Sequence, residues 1–195
     1  MAMPASRHPV TPSRRLTLAT PSSGPTRLRV PDLLHATDQA ADQVLSGRCD
    51  HLLPQGGVPQ TERWFTRIHG DDELDIWLIS WVPGHPTELH DHGGSLGALT
   101  VLSGSLNEFR WDGRRLRRRR LEAGDQAGFP LGWVHDVVWA PRQAPVSQLG
   151  ARPVQPTLSV HAYSPPLTAM SYYEVTDHNT LRRQRTELTD QPEGP

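Results

Sequence analysis

Lysine is absent from this chain, and all 20 basic residues are arginine. We read this as a compositional habit of the encoding genome rather than a phosphate-binding design. With 21 acidic residues the formal charge is -1, so bulk electrostatics point to no nucleic-acid partner. Cys49 is the only cysteine, which excludes an internal disulfide framework and any zinc site built on several thiolates. Hydrophobic residues make up 35% of the chain. No apolar run approaches the roughly 18 residues that cross a bilayer, so no membrane span is expected. The 195 residues suffice for about one domain around a single core. Against these shortages stands a surplus of histidine, 10 in all.

The first thirty residues are rich in Pro, Ser, Thr and Arg, with no acidic residue before Asp32. Such a segment buries too little apolar surface to fold alone, and 1–30 is expected to be a disordered tail. Ser13-Arg14-Arg15-Leu16 superficially matches a twin-arginine export signal. The segment Pro21-Ser22-Ser23-Gly24-Pro25 follows where a hydrophobic stretch is needed, so the expected location is the cytoplasm. Residues 176–195, with Arg182, Arg183, Arg185, Asp190 and Pro192, read as a second flexible tail. The domain is therefore expected at 31–175. After Pro31, Asp32 is placed to cap a helix carrying Leu33, Leu34, Ala36, Ala40, Ala41, Val44 and Leu45, with Gly47 ending it.

Short alternating runs follow at Trp64 to Ile68, Leu74 to Val82, Leu99 to Leu102, Leu106 to Trp111, Leu116 to Leu121, Val134 to Trp139 and Thr157 to Tyr163. Many short strands separated by Gly, Pro and Asp indicate a β-sandwich or barrel. Trp111-Asp112-Gly113-Arg114 supplies the clearest hairpin turn. The arginines at 114, 115, 117, 118, 119 and 120 then form a solvated returning strand that resists edge aggregation.

In Gly84-His85-Pro86-Thr87-Glu88-Leu89-His90-Asp91-His92, two imidazoles stand two residues apart, where a strand directs both to one face. Asp91 between them points the other way and reads as structural. The spacing is Gly84, five residues, His90-Asp91-His92, four residues, Gly97, six residues, Gly104. Further on come Gly124, five residues, Pro130, one residue, Gly132, two residues and His135. Together these resemble the two signature motifs of the cupin superfamily, in order. The resemblance implies a mainly β fold, a double-stranded β-helix or jelly-roll barrel, here with a short N-terminal helical segment. It also implies a metal held by His90, His92 and His135. The superfamily's usual glutamate ligand is replaced by Gly97 and its usual Asn by Trp139. Three neutral imidazoles suit Zn, Cu, Fe or Ni, so the ligands alone do not name the ion. Lacking a carboxylate, such a site stays more positive and favours an anionic ligand such as a thiolate.

In Leu158-Ser159-Val160-His161-Ala162-Tyr163 the apolar and polar side chains alternate. The row Ser159, His161, Tyr163 either faces solvent, the commoner arrangement for polar groups, or faces a barrel interior as a proton-handling relay. Alternation does not choose between them.

Phe65-Thr66-Arg67, Ser80-Trp81, Gly84-His85, His90-Asp91-His92, His135 and Ser159-Val160-His161-Ala162-Tyr163-Ser164-Pro165-Pro166 together resemble the cysteine dioxygenases, thiol dioxygenases within the cupins. The likeness spans most of residues 60 to 166. It implies iron(II) on His90, His92 and His135, Arg67 pairing with a substrate carboxylate, and a relay of Ser159, His161 and Tyr163. It also implies the reaction: O₂ adds both atoms to the sulfur of L-cysteine, giving cysteine sulfinic acid. Trp81 is expected to wall the pocket or to serve as core. Animal members carry a cysteine crosslinked to the relay tyrosine where this chain has Gly97, so Tyr163 is expected unmodified. Phe65 stands where many relatives have Tyr, removing a hydroxyl near the substrate carboxylate. The expected partners are a small thiol and O₂, acting on a monomer. A dioxygenase for 3-mercaptopropionate is the nearest alternative, and within the family Arg67 favours cysteine over it. A non-catalytic metal-binding cupin is the alternative from another class.

Overall fold

A computed structural model of the chain describes residues 26–141 and 155–192. The expected export-signal mimic at 13–16 lies outside the described residues. Helix α1 spans Val30–Leu45, and strands β1 to β11 span Trp64–Gly70, Asp75–Trp81, His90–Asp91, Leu96–Ser103, Ser105–Trp111, Leu116–Glu122, Gln126–Phe129, His135–Trp139, Thr157–Ser164, Ala169–Val175 and Leu181–Leu188. They form two antiparallel sheets, one ordered β1-β2-β9-β4-β7 and the other β11-β10-β3-β8-β5-β6. The mainly β double-stranded arrangement with one N-terminal helix is the expected fold. No helix among the described residues is long and apolar enough to cross a membrane.

The five-stranded sheet is covered on both faces, which explains its near-continuous burial. Trp77, Ile79, Trp81, Leu99, Val101, Phe129 and Tyr163 pack inward with Leu106, Leu121 and Val137 of the opposing sheet. Ile76, Leu78, Ala98, Val160 and Ala162 face outward and are roofed by Leu33, Ala40 and Ala41 of α1. The helix buries Leu33, Thr37, Ala40 and Ala41, a stripe at helical spacing. Leu45, read as part of that stripe, is 68% exposed. Thr37 takes an inward place instead, its hydroxyl accepting a bond from Thr100 Oγ1 at 2.9 Å. Asp32 does not occupy the capping position itself. The helix starts at Val30, and the Asp32 carboxylate accepts from the Arg29 N–H at 2.7 Å, reaching back from the first turn. Leu33 is fully buried between helix and sheet. Leu33→Ala should therefore lower unfolding stability by about 2–5 kcal/mol in a denaturant titration. A loss below about 1 kcal/mol would show that α1 does not anchor this face.

Both expected domain boundaries move outward. At the N-terminal end, Leu28 packs on the helix-covered core and the Ser164 hydroxyl bonds Thr26 Oγ1 at 2.9 Å. At the C-terminal end, β11 pairs along β10 from Ala169↔Leu188 to Val175↔Leu181. The expected flexible tail from 176 thus contains an edge strand. Its side chains are mostly exposed, so backbone hydrogen bonds rather than apolar burial hold it, and hydrophobic pattern did not betray it. The hairpin after Trp111 forms as expected: Gly113 has φ +93°, and Asp112 Oδ1 accepts from the Arg114 and Arg115 N–H groups. The returning arginine strand β6 lies at the sheet edge, where its charges discourage further pairing.

Candidate metal centre

Pairing between β3 and β8 sets His90 opposite His135, and His92 follows directly on the end of β3. All three residues are buried. One ligand atom from each lies within 4.8 Å of the others, and the ring centroids are 5.2, 5.1 and 5.1 Å apart. His90 Nδ1 lies 2.6 Å from the Glu88 carbonyl oxygen, a contact in which the imidazole N–H donates. His135 Nδ1 lies 3.3 Å from Glu108 Oε1, while its Nε2 is buried without a hydrogen-bond partner. A buried imidazole nitrogen with nothing to bond costs free energy unless a ligand takes it, and a cation would satisfy it. Fixing Nδ1 in this way presents Nε2 as the ligating atom. The three residues could therefore hold a metal ion, and the donor set is that of a three-nitrogen site. Among the described residues no carboxylate joins the cluster.

Gly97 explains that absence in geometric terms. It pairs with Tyr163 across β4 and β9, and a Cβ placed there would sit 2.8 Å from Phe129 Cδ2 and 3.4 Å from Tyr163 Cδ1. Any larger residue would have to displace the Phe129 ring, which lies 4.2 Å from His135 and 5.6 Å from His92. Asp91 faces away and is structural, as expected. Its Oδ1 accepts from the Gly93 and Ser171 N–H groups, and its Oδ2 accepts the Tyr173 hydroxyl at 2.6 Å. These bonds fasten the short histidine-bearing strand to β10.

The ambiguity over β9 resolves in favour of the interior. Val160 and Ala162 are taken by the helix-covered face, which turns Ser159, His161 and Tyr163 into the barrel, all fully buried. Trp81 Nε1 donates to Ser159 Oγ at 2.8 Å, Ser159 Oγ lies 2.9 Å from His161 Nε2, and His161 Nδ1 lies 3.2 Å from the Tyr163 hydroxyl. The Tyr163 ring is 5.0 Å from that of His92, so the row ends beside the histidine cluster. Trp81 is a buried member of the inter-sheet core as well as a hydrogen-bond donor.

Arg67 is placed differently from the others. It shares the inward side of β1 with Phe65, pairs in register with Trp77, and lays its guanidinium 4.5 Å from the Trp77 ring centre. Its Nε is 3.4 Å from Asp75 Oδ1 and its Nη2 is 3.8 Å from Asp190 Oδ2. Its side chain is 43% exposed, so the guanidinium stands at the rim and pairs with protein carboxylates, where a substrate carboxylate was expected. Asp75 is buried, and burial pushes its carboxyl above the usual range against the pull of Arg67.

Sequence reading missed Glu108, Phe129, Asp75 and Asp190. Glu108 did leave a signal, as a carboxylate two residues from inward Leu106 on an expected strand. It is 4% exposed, and accepts from Trp133 Nε1 at 3.4 Å besides contacting His135. Burial pushes its carboxyl up, but the hydrogen bonds from His135 and Trp133 outweigh this and hold it below the usual range.

Residues 58–176 match the family model described as cysteine dioxygenase type I. The chain belongs to that family. It is similar to cysteine dioxygenase type 1 of Danio rerio, 27% identical over 119 residues, covering 58% of this chain and 57% of that protein. Cysteine dioxygenase type 1 of Homo sapiens is 26% identical over 117 residues, 56% of this chain and 54% of that protein. The chain thus spans little more than half the length of these relatives. Among solved structures, a Klebsiella pneumoniae protein with a double-stranded β-helix domain aligns with a TM-score of 0.47 and 19% identity, covering 64% of this chain and 93% of that one.

Proposed function

We propose that this cysteine dioxygenase family member is an iron(II)-dependent thiol dioxygenase whose substrate is L-cysteine. The observation that carries the reading is the meeting, inside one barrel, of three buried histidines with the Trp81–Ser159–His161–Tyr163 row. A structural barrel has no need of a buried polar chain ending beside a cation site, and such a chain is costly unless each member is satisfied. Bound by His90, His92 and His135, iron(II) would supply open positions on which a thiolate and O₂ meet.

The remaining roles fall to side chains. Trp81 can only donate, so Ser159 Oγ accepts from it and passes its own proton toward His161 Nε2. His161 then holds its proton at Nδ1, toward the Tyr163 oxygen, which leaves the Tyr163 hydroxyl proton as the one directed at the substrate. Phe129 and Tyr163 keep water from the histidines. At the rim, Asp75 braces Arg67 from within the barrel, and a substrate carboxylate displaces the exposed Asp190 from the guanidinium.

Oxygen uptake by iron-loaded protein, with the product identified, tests the reading. L-cysteine should be consumed with formation of its sulfinic acid and should be preferred to 3-mercaptopropionate. Preference for the mercapto acid would assign the alternative substrate, and no uptake with either thiol would overturn the reading in favour of a non-catalytic cupin. Arg67→Ala should raise the KM for L-cysteine by about 10- to 100-fold, the loss of a charge-assisted hydrogen bond worth about 1.5–3 kcal/mol, with metal content unchanged. Unchanged KM would remove Arg67 from the substrate site.

A further inference from the structure

The cupin glutamate ligand is missing at Gly97, yet a carboxylate still reaches the cluster by a longer route. Glu108 stands on β5, opposite Val137 of β8, and its Oε1 lies 3.3 Å from Nδ1 of His135. The same oxygen takes the Trp133 indole N–H at 3.4 Å, so the carboxylate is held from two sides. The side chains of His135 and Glu108 are 0% and 6% exposed, which keeps water from competing for either partner.

We infer that Glu108 is a positioning residue for His135 and supplies, from behind that ligand, the negative charge that the metal's own ligand set lacks. The inference rests on the metal-binding reading above. A carboxylate accepting the Nδ1–H of a ligating histidine fixes the ring's rotation and tautomer and raises the electron density at Nε2. Here Glu108 takes that role for His135. His90 is oriented by a neutral carbonyl oxygen, that of Glu88. His135 is oriented by a full charge. The arrangement keeps the open positions clear, because the carboxylate never enters the ring of ligands. A glutamate bound directly to the ion would fill a position; one placed behind His135 lowers the site's net charge without occupying one.

The test uses the full chain, stripped of metal, with cobalt(II) as the probe in competition with a chelator. Glu108→Gln keeps the shape and an acceptor oxygen but loses the charge, and should weaken cobalt binding about tenfold. Glu108→Ala loses orientation as well and should weaken it about 100-fold. The cobalt absorption bands should shift in both variants, a change that a merely structural glutamate would not produce. Should the alanine variant fail to fold, the glutamine variant alone decides. Variants that bind cobalt within about twofold of the wild type, with unshifted bands, would overturn the inference even if their melting temperatures fell. A wild-type protein that binds no cobalt would instead overturn the metal-binding reading itself.

Discussion

Replacing His92 by alanine should abolish metal binding while the barrel stays folded. Loss of a partner behind a ligand costs 10–100-fold in affinity, so loss of one of three ligands should exceed about 100-fold. The fold should persist because most of its two cores is independent of the cluster: one fills the space between the sheets and meets the histidines through Phe129 and Tyr163, and the other lies between the five-stranded sheet and α1. His92 contributes ring contacts with Phe129 and Tyr163, and removing them leaves a cavity costing a few kcal/mol. That is below the stability of an ordinary domain. Metal analysis after dialysis, with a thermal melt of the same sample, checks both halves. Wild-type metal content in the variant would remove His92 from the site. Global unfolding would show that the histidine cluster is core first and ligand second.

The second large effect is expected from Tyr163→Phe. The substitution removes one oxygen and retains the ring that packs against His92 and Gly97. Metal content should therefore match the wild type. Turnover should fall by about 10²–10⁴, the range for loss of a positioned proton donor. Because His161 Nδ1 loses its 3.2 Å partner, stability should also drop by about 1–3 kcal/mol. The measurement is kcat with L-cysteine at saturating O₂ on samples matched for iron. A variant within about twofold of wild type would reduce the Trp81–Ser159–His161–Tyr163 row to a buried structural network.

The histidines were readable in the sequence because motif spacing fixes which short strands carry them, and the pairing of His90 with His135 follows from that topology. Ser159, His161 and Tyr163 were readable as a row but not as an interior one. Alternation in Leu158 to Tyr163 is symmetric between facing in and facing out, and only the cover that α1 gives to Val160 and Ala162 decides the matter. Arg67 illustrates a different limit. Its strand face followed from Phe65, but its carboxylate partners come from the start of β2 and from the segment after β11. No local pattern reports such distant contacts. The same holds for β11, an edge strand polar on both faces, whose existence depends on β10 offering backbone partners. Glu108 lay in plain view as a charged residue at an inward position, a conflict between residue type and place of the kind that marks functional sites.

On the proposed function, three uncharged imidazoles hold the iron and leave room for a thiolate. X-ray absorption at the iron edge, recorded on loaded protein without O₂ before and after addition of L-cysteine, tests it most directly. The expected result is three imidazole ligands in both states and a sulfur neighbour that appears only with the substrate. An iron that keeps an all-nitrogen-and-oxygen environment after cysteine is added, or that sheds an imidazole to accept it, would contradict it.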